Sequence, residues 1–117
     1  MFILPRTVLP VRHKSKGEAL LFAALGDETR LLLVSRLCDG GPMSITRLAE
    51  GSTVTRQGIT KHLRVMERAR LVHSARRGRE RVWELDQRSL SDARRYLDLI
   101  SEQWDRALAR LRQFVEE

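Results

Sequence analysis

The fold is decided by the stretch from Thr55 to Ala69, which reads Thr-Arg-Gln-Gly-Ile-Thr-Lys-His-Leu-Arg-Val-Met-Glu-Arg-Ala. Thr55 is a good helix cap, because its hydroxyl can accept an amide proton of the first helical turn. One apolar stripe of α-helical spacing follows, made of Ile59, Leu63, Met66 and Ala69. The side chains mostly on the other side are of types that bind base edges and phosphates, namely Arg56, Gln57, Thr60, Lys61 and Arg64.

This polar face has two interpretations when it is taken alone. It is either an ordinary solvated helix surface or a surface that binds a polyanion. The stretch contains no acid before Glu67, so its positive charge is not neutralised within the first two helical turns. The segments on either side of the stretch favour the second interpretation.

The distribution of charge also favours a polyanionic partner. The chain has 117 residues, enough for one domain, and a formal net charge of +7. Residues 55–81 contain nine Lys and Arg against two acids, a net of +7, whereas residues 89–117 contain five Arg against six acids, a net of −1. The basic segment has few of the bulky apolar residues that a membrane-surface helix needs, so nucleic acid is the better match.

The residues before the stretch predict a helix-turn-helix. Ser44 can cap a short helix over residues 45–50, and Gly51-Ser52-Thr53 can form the turn. Two apolar helices precede it, one over residues 16–25 and one that begins at a cap formed by Asp27 and runs to about Cys38. The first is expected to be buried on several sides because it is apolar nearly all round. The core candidates of the second are Leu31, Leu32, Val34, Leu37 and Cys38.

The residues after the stretch predict a basic β-hairpin. Two short strands, residues 71–75 and 81–85, flank a turn that contains Gly78. A helix-turn-helix followed by such a hairpin is typical of a winged helix, whose wing lies beside the DNA groove that the helix enters. The alternative is a loop tip that is basic only for solubility. The predicted DNA contacts are Thr55, Arg56, Gln57, Thr60, Lys61, His62, Arg64, Arg76, Arg77, Arg79 and Arg81.

The C-terminal residues predict a long amphipathic helix from Ser89 to the end of the chain. Its apolar stripe is longer than one small domain can cover, which favours a two-fold dimer. A helix folded back on its own domain is the alternative. Three segments result: an N-terminal arm (1–15), a winged-helix domain (16–88) and a dimerisation helix (89–117). The expected dimer contacts are Leu20, Leu21, Tyr96, Leu97, Ile100, Trp104, Leu108 and Leu111.

Several of these motifs resemble the ArsR-type (ArsR/SmtB) family of bacterial repressors. The segment Phe22-Ala-Ala-Leu-Gly-Asp-Glu-Thr-Arg-Leu is similar to the opening signature of the family. Residues 46–50 resemble the first helix of its helix-turn-helix, residues 55–63 its recognition helix, and residues 70–85 its wing. The resemblance implies a mainly α winged helix-turn-helix that dimerises through its first and last helices and represses transcription from a two-fold symmetric operator.

The sequence departs from the family pattern at three places. The short helix at residues 45–50 lacks the Cys-x-Cys pair of many metal sensors, and the last helix contains no histidine. These two departures argue against metal sensing at the usual sites, so no metal and no cofactor is expected. The third departure is Arg70, where the family usually has glycine. Either the recognition helix ends in a different cap or Arg70 adopts a strained turn.

No motif indicates catalysis. The three histidines are scattered along the chain, and the sequence contains no glycine-rich phosphate loop and no nucleophile elbow. Cys38 is the only cysteine and is expected in the core. His62 has two equal interpretations, a phosphate contact or a brace for the helix.

The protein is expected to be cytoplasmic, with no membrane span. A winged-helix module for protein or RNA interaction is the alternative function, and the sequence leaves the operator, the effector, a redox role for Cys38 and activator versus repressor output open.

Overall fold

A computed structural model of the protein describes residues 17–116. Five helices and one hairpin follow each other in the predicted order. They are α1 (17–25), α2 (Glu28–Gly40), α3 (Ile45–Ala49), α4 (Arg56–Arg68), β1 (Val72–Arg77), β2 (Glu80–Leu85) and α5 (Gln87–Glu116). This architecture confirms the predicted mainly α winged helix-turn-helix with a long C-terminal helix. The predicted N-terminal arm lies outside the described residues.

The core lies where α3, α4 and the hairpin meet the first two helices. Its fully buried side chains are Leu48, Ile59, Leu63, Met66, Leu71 and Val72. The stripe predicted for residues 59–69 is therefore confirmed as the inner face of α4, with Ala69 partly buried at its end. Burying side chains of this size stabilises a fold by about 1.5–3 kcal/mol each, so α4 is anchored through its inner face.

The first two helices expose more apolar surface than the sequence predicted. In α1, Leu21 and Ala24 are buried, but Leu20 remains 60% exposed, so the expectation of burial on several sides is wrong for the single chain. In α2, the core positions are Leu33 and Leu37, while Val34 is partly buried. The predicted core positions Leu31, Leu32 and Cys38 are exposed. Leu33 was missed because three consecutive leucines do not reveal which face of a helix points inward.

Four helices begin at a side-chain cap. Asp27, Ser44 and Thr55 each accept a hydrogen bond from the backbone amide three residues on, as predicted. Asp86 accepts from the amides of Arg88 and Ser89, so α5 begins two residues before the predicted Ser89. Each cap satisfies an amide that the helix leaves unpaired, and together they fix where the helices start.

Helix α4 ends in a left-handed turn at Arg70. The φ of Arg70 is 62°, and it is the one non-glycine residue with positive φ among residues 17–116. Its amide donates to the carbonyl of Glu67, and the Leu71 amide donates to the carbonyl of Met66. This pair of bonds is the Schellman motif, which usually has glycine at the left-handed position. The second of the two alternatives for Arg70, a strained turn, is therefore confirmed.

An Arg70→Gly substitution should stabilise the protein. It relieves about 1–2 kcal/mol of left-handed strain, partly offset by the greater entropy of glycine in the unfolded chain, which leaves a net gain of about 0.5–1 kcal/mol. Urea denaturation measures the gain as a higher midpoint at unchanged slope. The matched control is Arg68→Gly in the last turn of the same helix, which should cost about 1 kcal/mol. A loss of stability in both variants would contradict the assigned turn.

The hairpin is longer than predicted and has a two-residue turn. Strands β1 and β2 pair antiparallel from Val72 opposite Leu85 to Arg77 opposite Glu80, and Gly78 in the turn has a φ of 67°. Arg76 and Arg77 therefore lie in a strand rather than in the turn, and Arg81 lies in β2 as predicted. Met43 forms an isolated bridge with Trp83, which attaches the segment before α3 to the hairpin.

Helix α5 leaves the body of the domain after its first turns. Ala93 is buried, and Tyr96 packs on Phe22 of α1 with ring centroids 5.8 Å apart. Beyond these contacts the apolar stripe is exposed at Leu97, Trp104, Leu108, Leu111, Phe114 and Val115. The alternative of a helix folded back on its own domain is therefore wrong. No helix in the described range has the length and apolarity to cross a membrane.

Candidate nucleic-acid interface

The outer face of α4 presents a continuous polar surface. Arg56, Gln57, Lys61 and Arg64 are exposed, and Thr60 is partly exposed. The Thr60 hydroxyl donates to the Arg56 carbonyl one turn earlier, so its proton is used within the helix. These five residues lie on one side of α4 because successive residues are rotated by about 100°. The opposite side holds the helix in the core, so within residues 17–116 the polar face of α4 is left accessible.

The first turn of α4 is fixed by close packing. The Thr55 hydroxyl accepts from the Gly58 amide at 3.0 Å. A Cβ at Gly58 would lie 2.8 Å from Cγ1 of Val54, which leaves no room for a larger residue without a shift. Thr55, predicted to contact DNA, is placed here as the cap. The requirement for glycine at position 58 was not predicted from the sequence, since a glycine within a helical pattern does not reveal which atoms lie close to it.

The wing, formed by β1 and β2, carries several arginines close together and directly follows α4 in the sequence. Arg76 and Arg81 are exposed and stand directly opposite each other across the two strands. Like charges at directly opposed positions destabilise a hairpin. Arg81 donates to the Ser74 hydroxyl at 2.9 Å, which holds its guanidinium on the sheet. A phosphate anion near this pair would remove the repulsion, so the hairpin is better suited to a polyanion than to water.

The other wing arginines differ in their partners. Arg77 lies 3.9 Å from the Glu84 carboxylate, which also contacts the His73 ring at 3.0 Å. Arg79 is exposed in the turn beside Gly78. Arg77 is therefore partly compensated by an acid of the next strand, whereas Arg79 projects from the tip.

An arginine from α2 holds the first helix of the helix-turn-helix in place. Arg36 donates to the carbonyls of Arg47, Leu48 and Glu50 at 2.9, 2.7 and 3.0 Å. Carbonyls at the end of a helix lack partners within the helix and favour a positive charge. Arg36 thus fixes the end of α3 and the start of the turn that leads to α4. This role of Arg36 was not predicted, because nothing in the sequence distinguishes Arg36 from the other arginines.

His62 is directed at α2 rather than at the polar face. Its Nδ1 lies 3.2 Å from a guanidinium nitrogen of Arg30 and 3.8 Å from the Asp27 carboxylate. Because a guanidinium can only donate, Nδ1 is the accepting atom in its contact with Arg30. The longer contact with Asp27 exceeds hydrogen-bond length. Of the two interpretations of His62, the structure favours the brace, and the DNA contact stays a prediction.

Asp27 and Arg30 complete this brace. Arg30 also donates from Nε to the Ala24 carbonyl at 2.6 Å, which ties the end of α1 to α4. The hydrogen bond from the Arg30 amide, helped by the Arg30 charge, lowers the pKa of Asp27. Folding therefore favours the charged form of the Asp27 carboxyl. The stability that this provides is present above about pH 4, and it is lost as the pH falls through the lowered pKa of Asp27.

The residues predicted to form the dimer contact differ in how far their side chains are exposed. Leu20, Leu97, Trp104, Leu108 and Leu111 are exposed, and Tyr96 and Ile100 are partly buried. Leu21 is buried in the core of its own chain with 3% of its surface exposed, so little of its side chain is left for a partner, and its dimer contact stays a prediction. Within residues 17–116, no group of three or more His, Cys, Asp or Glu is arranged to hold a metal ion.

Comparison with known proteins identifies the family. Residues 25–75 match the model of a family described as a helix-turn-helix domain. The chain is 38% identical over 93 residues to the HTH-type transcriptional regulator Rv2034 of Mycobacterium tuberculosis, covering 80% of this chain and 83% of that protein. It is 35% identical to an ArsR-like transcriptional regulator of Rhodococcus sp. RHA1, with a TM-score of 0.76, covering 87% of this chain and 95% of the other.

The chain belongs to the ArsR family of winged helix-turn-helix transcriptional regulators. The same fold occurs in the homodimeric winged helix-turn-helix DNA-binding domain of Mb0332 from Mycobacterium bovis, with a TM-score of 0.61 and 18% identity over 83% of this chain and 86% of that one. The family resemblance seen in the sequence is confirmed. This ArsR-family regulator is a DNA-binding protein, and α4 is the second helix of its helix-turn-helix.

Proposed function

We propose that this regulator is a homodimeric repressor that binds a two-fold symmetric operator and acts by binding rather than catalysis. The observation that carries the proposal is the pairing of two free surfaces in one chain. The polar face of α4 and the wing arginines form a basic surface, and the exposed stripe of α5 forms an apolar one. The first is suited to DNA, and the second to another copy of the same helix.

In the proposed complex, α4 enters the major groove and the wing lies on the adjacent backbone. Arg56, Gln57 and Lys61 reach base edges from the first turns of the helix, with Thr60 beside them. Arg64 and the wing arginines Arg76, Arg77, Arg79 and Arg81 neutralise phosphates, which adds affinity without sequence preference. A dimer then reads two half-sites about 10 base pairs or a multiple apart, and occupation of a promoter blocks polymerase.

The homodimer has support from the fold and from the exposed stripe. The related domain of Mb0332 is homodimeric, and it shares the fold of this chain. Trp104, Leu108 and Leu111 are exposed along α5, and a contiguous apolar patch of this kind marks an interaction site. The stripe has the period of a helix–helix contact, so the α5 helix of a second copy is the partner that we propose.

Fluorescence anisotropy on DNA from upstream of the protein's own gene tests the repressor proposal. An unrelated duplex serves as the control, and both are measured across a salt series. We expect a preference of about a thousandfold or more for the upstream duplex if it contains the operator. Absence of binding to both duplexes at low salt would contradict the proposal and favour a module for protein interaction. Equal binding to both would place the operator elsewhere or require an effector.

Two substitutions separate base reading from phosphate binding. Gln57→Ala should relax specificity at one or two base pairs by about 1–3 kcal/mol. Arg76→Ala should weaken all duplexes alike and lower the salt slope by about one. It should also leave the hairpin equally or slightly more stable, because it removes one of two opposed charges. Anisotropy titrations and urea denaturation measure these effects, and equal loss of sequence preference in both variants would refute the assignment.

A further inference from the structure

The apolar stripe of α5 has two parts with different surroundings. In the first part, Ala93 is buried and Leu90 packs against the core of the same chain. From Leu97 onward the side chains of the stripe are exposed or only partly buried, although the helical spacing continues. The part from Leu97 to Phe114 is therefore left uncovered by the rest of residues 17–116, and we call it the free seam.

The free seam consists of two rows of side chains, and each row has a spacing of seven residues. The rows are Leu97, Trp104 and Leu111, and Ile100, Ala107 and Phe114. Alternating steps of three and four residues are typical of helices that pack together along one line. The seam is uneven in size, because its largest side chain, Trp104, and its smallest, Ala107, lie about one helical turn apart.

This unevenness distinguishes the two orientations that a two-fold helix pair can have. In a parallel pair each seam residue lies opposite its own copy, so that Trp104 meets a second Trp104 and Ala107 meets a second Ala107. The cores of interfaces are packed as densely as protein interiors, and both crowding and voids are unfavourable there. In an antiparallel pair one row faces the other, and Trp104 can lie opposite Ala107. The antiparallel orientation therefore matches the large side chain with the small one.

The two edges of the free seam also favour the antiparallel orientation. One edge is apolar, with Leu108 50% exposed and Val115 74% exposed. The other edge is bordered by the exposed polar side chains of Gln103 and Arg110. In a parallel pair the apolar edge of each copy lies against the polar edge of the other, whereas in an antiparallel pair like edges meet. The antiparallel pair thus buries apolar surface on apolar surface and keeps the polar side chains together at one rim.

We propose that two copies pair through their free seams in antiparallel orientation, with Trp104 of each copy seated on Ala107 of the other. Ala93, the other alanine of the stripe, cannot receive Trp104, because it is buried in its own domain with 7% of its surface exposed. This inference rests on the proposed homodimer. It adds the orientation, the register and the two residues by which one copy recognises the next.

The register has a consequence for the placement of the two domains. With Trp104 opposite Ala107, Phe114 of one copy lies opposite Leu97 of the other. The two copies of Leu97 are then seventeen residues apart along the helix pair, which is about 25 Å. The two domain bodies therefore lie at opposite ends of the paired helices rather than side by side.

Disulfide trapping between copies tests the orientation and the register. In a Cys38→Ser background, Leu97→Cys is combined with Phe114→Cys, and the matched control combines Leu90→Cys with Phe114→Cys. The members of each pair are too far apart along one helix to react within a chain, so any bond joins two copies. A disulfide requires the two Cα atoms to approach within about 7 Å, so we expect the first pair to form a covalent dimer about tenfold faster than the control pair or any single-cysteine variant.

The other outcomes of trapping overturn the inference in different ways. Fast cross-linking of Leu97→Cys alone would mean that the helices are parallel. Faster trapping of the control pair would mean that the register is shifted by seven residues, so that Trp104 does not lie on Ala107. Equally slow trapping of all variants in a protein that sediments as a dimer would place the contact elsewhere and refute this inference alone. A parent protein that sediments as a monomer would refute the proposed homodimer as well.

Two single substitutions test the seating of Trp104 on Ala107 directly. Trp104→Ala leaves a void at this contact, and Ala107→Trp overfills it. Each variant alone should therefore dimerise at least about thirtyfold more weakly than the parent, as expected for a central interface residue. In a mixed pair the two tryptophans of one chain face the two alanines of the other. We expect the mixture to form a heterodimer within about tenfold of the parent affinity.

Sedimentation of each variant and of their mixture measures this complementation. Circular dichroism establishes first that both variants are folded, which is expected because Trp104 is exposed and Ala107 is only partly buried in the single chain. A mixture that dimerises no better than its components would mean that these two residues do not face each other. Unchanged dimerisation of either variant alone would mean that the contact does not hold the pair together.

Discussion

A Leu63→Ala variant is expected to lose about 2–5 kcal/mol of stability. Leu63 is fully buried on the inner face of α4, so the substitution leaves a cavity between the recognition helix and the core. A small domain has only about 5–15 kcal/mol of stability in total. The loss would therefore be seen as a large fall in the urea midpoint and in the melting temperature.

The neighbouring residue supplies the control for this variant. Arg64 is exposed on the polar face, and Arg64→Ala should change stability by less than about 0.5 kcal/mol while it weakens DNA binding. Of these two adjacent substitutions, Leu63→Ala should thus lower stability, and Arg64→Ala should weaken DNA binding. A stable Leu63→Ala protein, or an unstable Arg64→Ala protein, would contradict the orientation of α4.

A Trp104→Glu variant is expected to be a folded monomer that binds the operator about a hundredfold more weakly or worse. Trp104 is 63% exposed in the single chain, so a charge there does not disturb the core. In the proposed dimer the same charge would be buried against the partner helix, which is strongly unfavourable. Loss of the second half-site then removes the gain in effective concentration that a linked pair of sites provides.

Sedimentation and anisotropy measure the two parts of this prediction. Gln103→Glu is the matched control, because it introduces the same charge at the adjacent exposed position away from the stripe. It should remain dimeric and should bind the operator as the parent does. A Trp104→Glu protein that is still dimeric would move the interface away from this part of α5, and a monomeric parent would refute the homodimer itself.

The sequence predicted those features whose signals are local and periodic. The spacing of Ile59, Leu63 and Met66 fits only one face of a helix, so the inner face of α4 could be predicted from it. Capping at Asp27, Ser44 and Thr55 follows from short-range hydrogen bonding. The hairpin was also predicted, but β1 continues to Arg77 and β2 already begins at Glu80. The arginine-rich run shows no alternation of apolar and polar residues, so it does not mark where the strands end.

The features that the sequence did not reveal depend on contacts between distant residues. In α2, the consecutive leucines at 31–33 are compatible with more than one inward face of the helix. Packing against the rest of the domain determines that Leu33 and Leu37 are the buried residues. Cys38, next to the buried Leu37, is consequently exposed rather than in the core. The clamp of Arg36 on the end of α3 and the contact of Arg30 with His62 join positions 11 to 32 residues apart. Only the folded chain brings these groups together.

The hydrogen bond from the Ser89 hydroxyl to the Arg70 carbonyl has a consequence for operator geometry. It joins the left-handed turn that follows α4 to the first turn of α5, the helix proposed to hold the two copies together. In such a dimer the distance between the two recognition helices is set by short, rigid connections and not by a flexible linker. One extra base pair between half-sites rotates one of them by about 35° around the DNA axis. We expect such a dimer to follow that rotation poorly, so that either the DNA twists or the second half-site is lost.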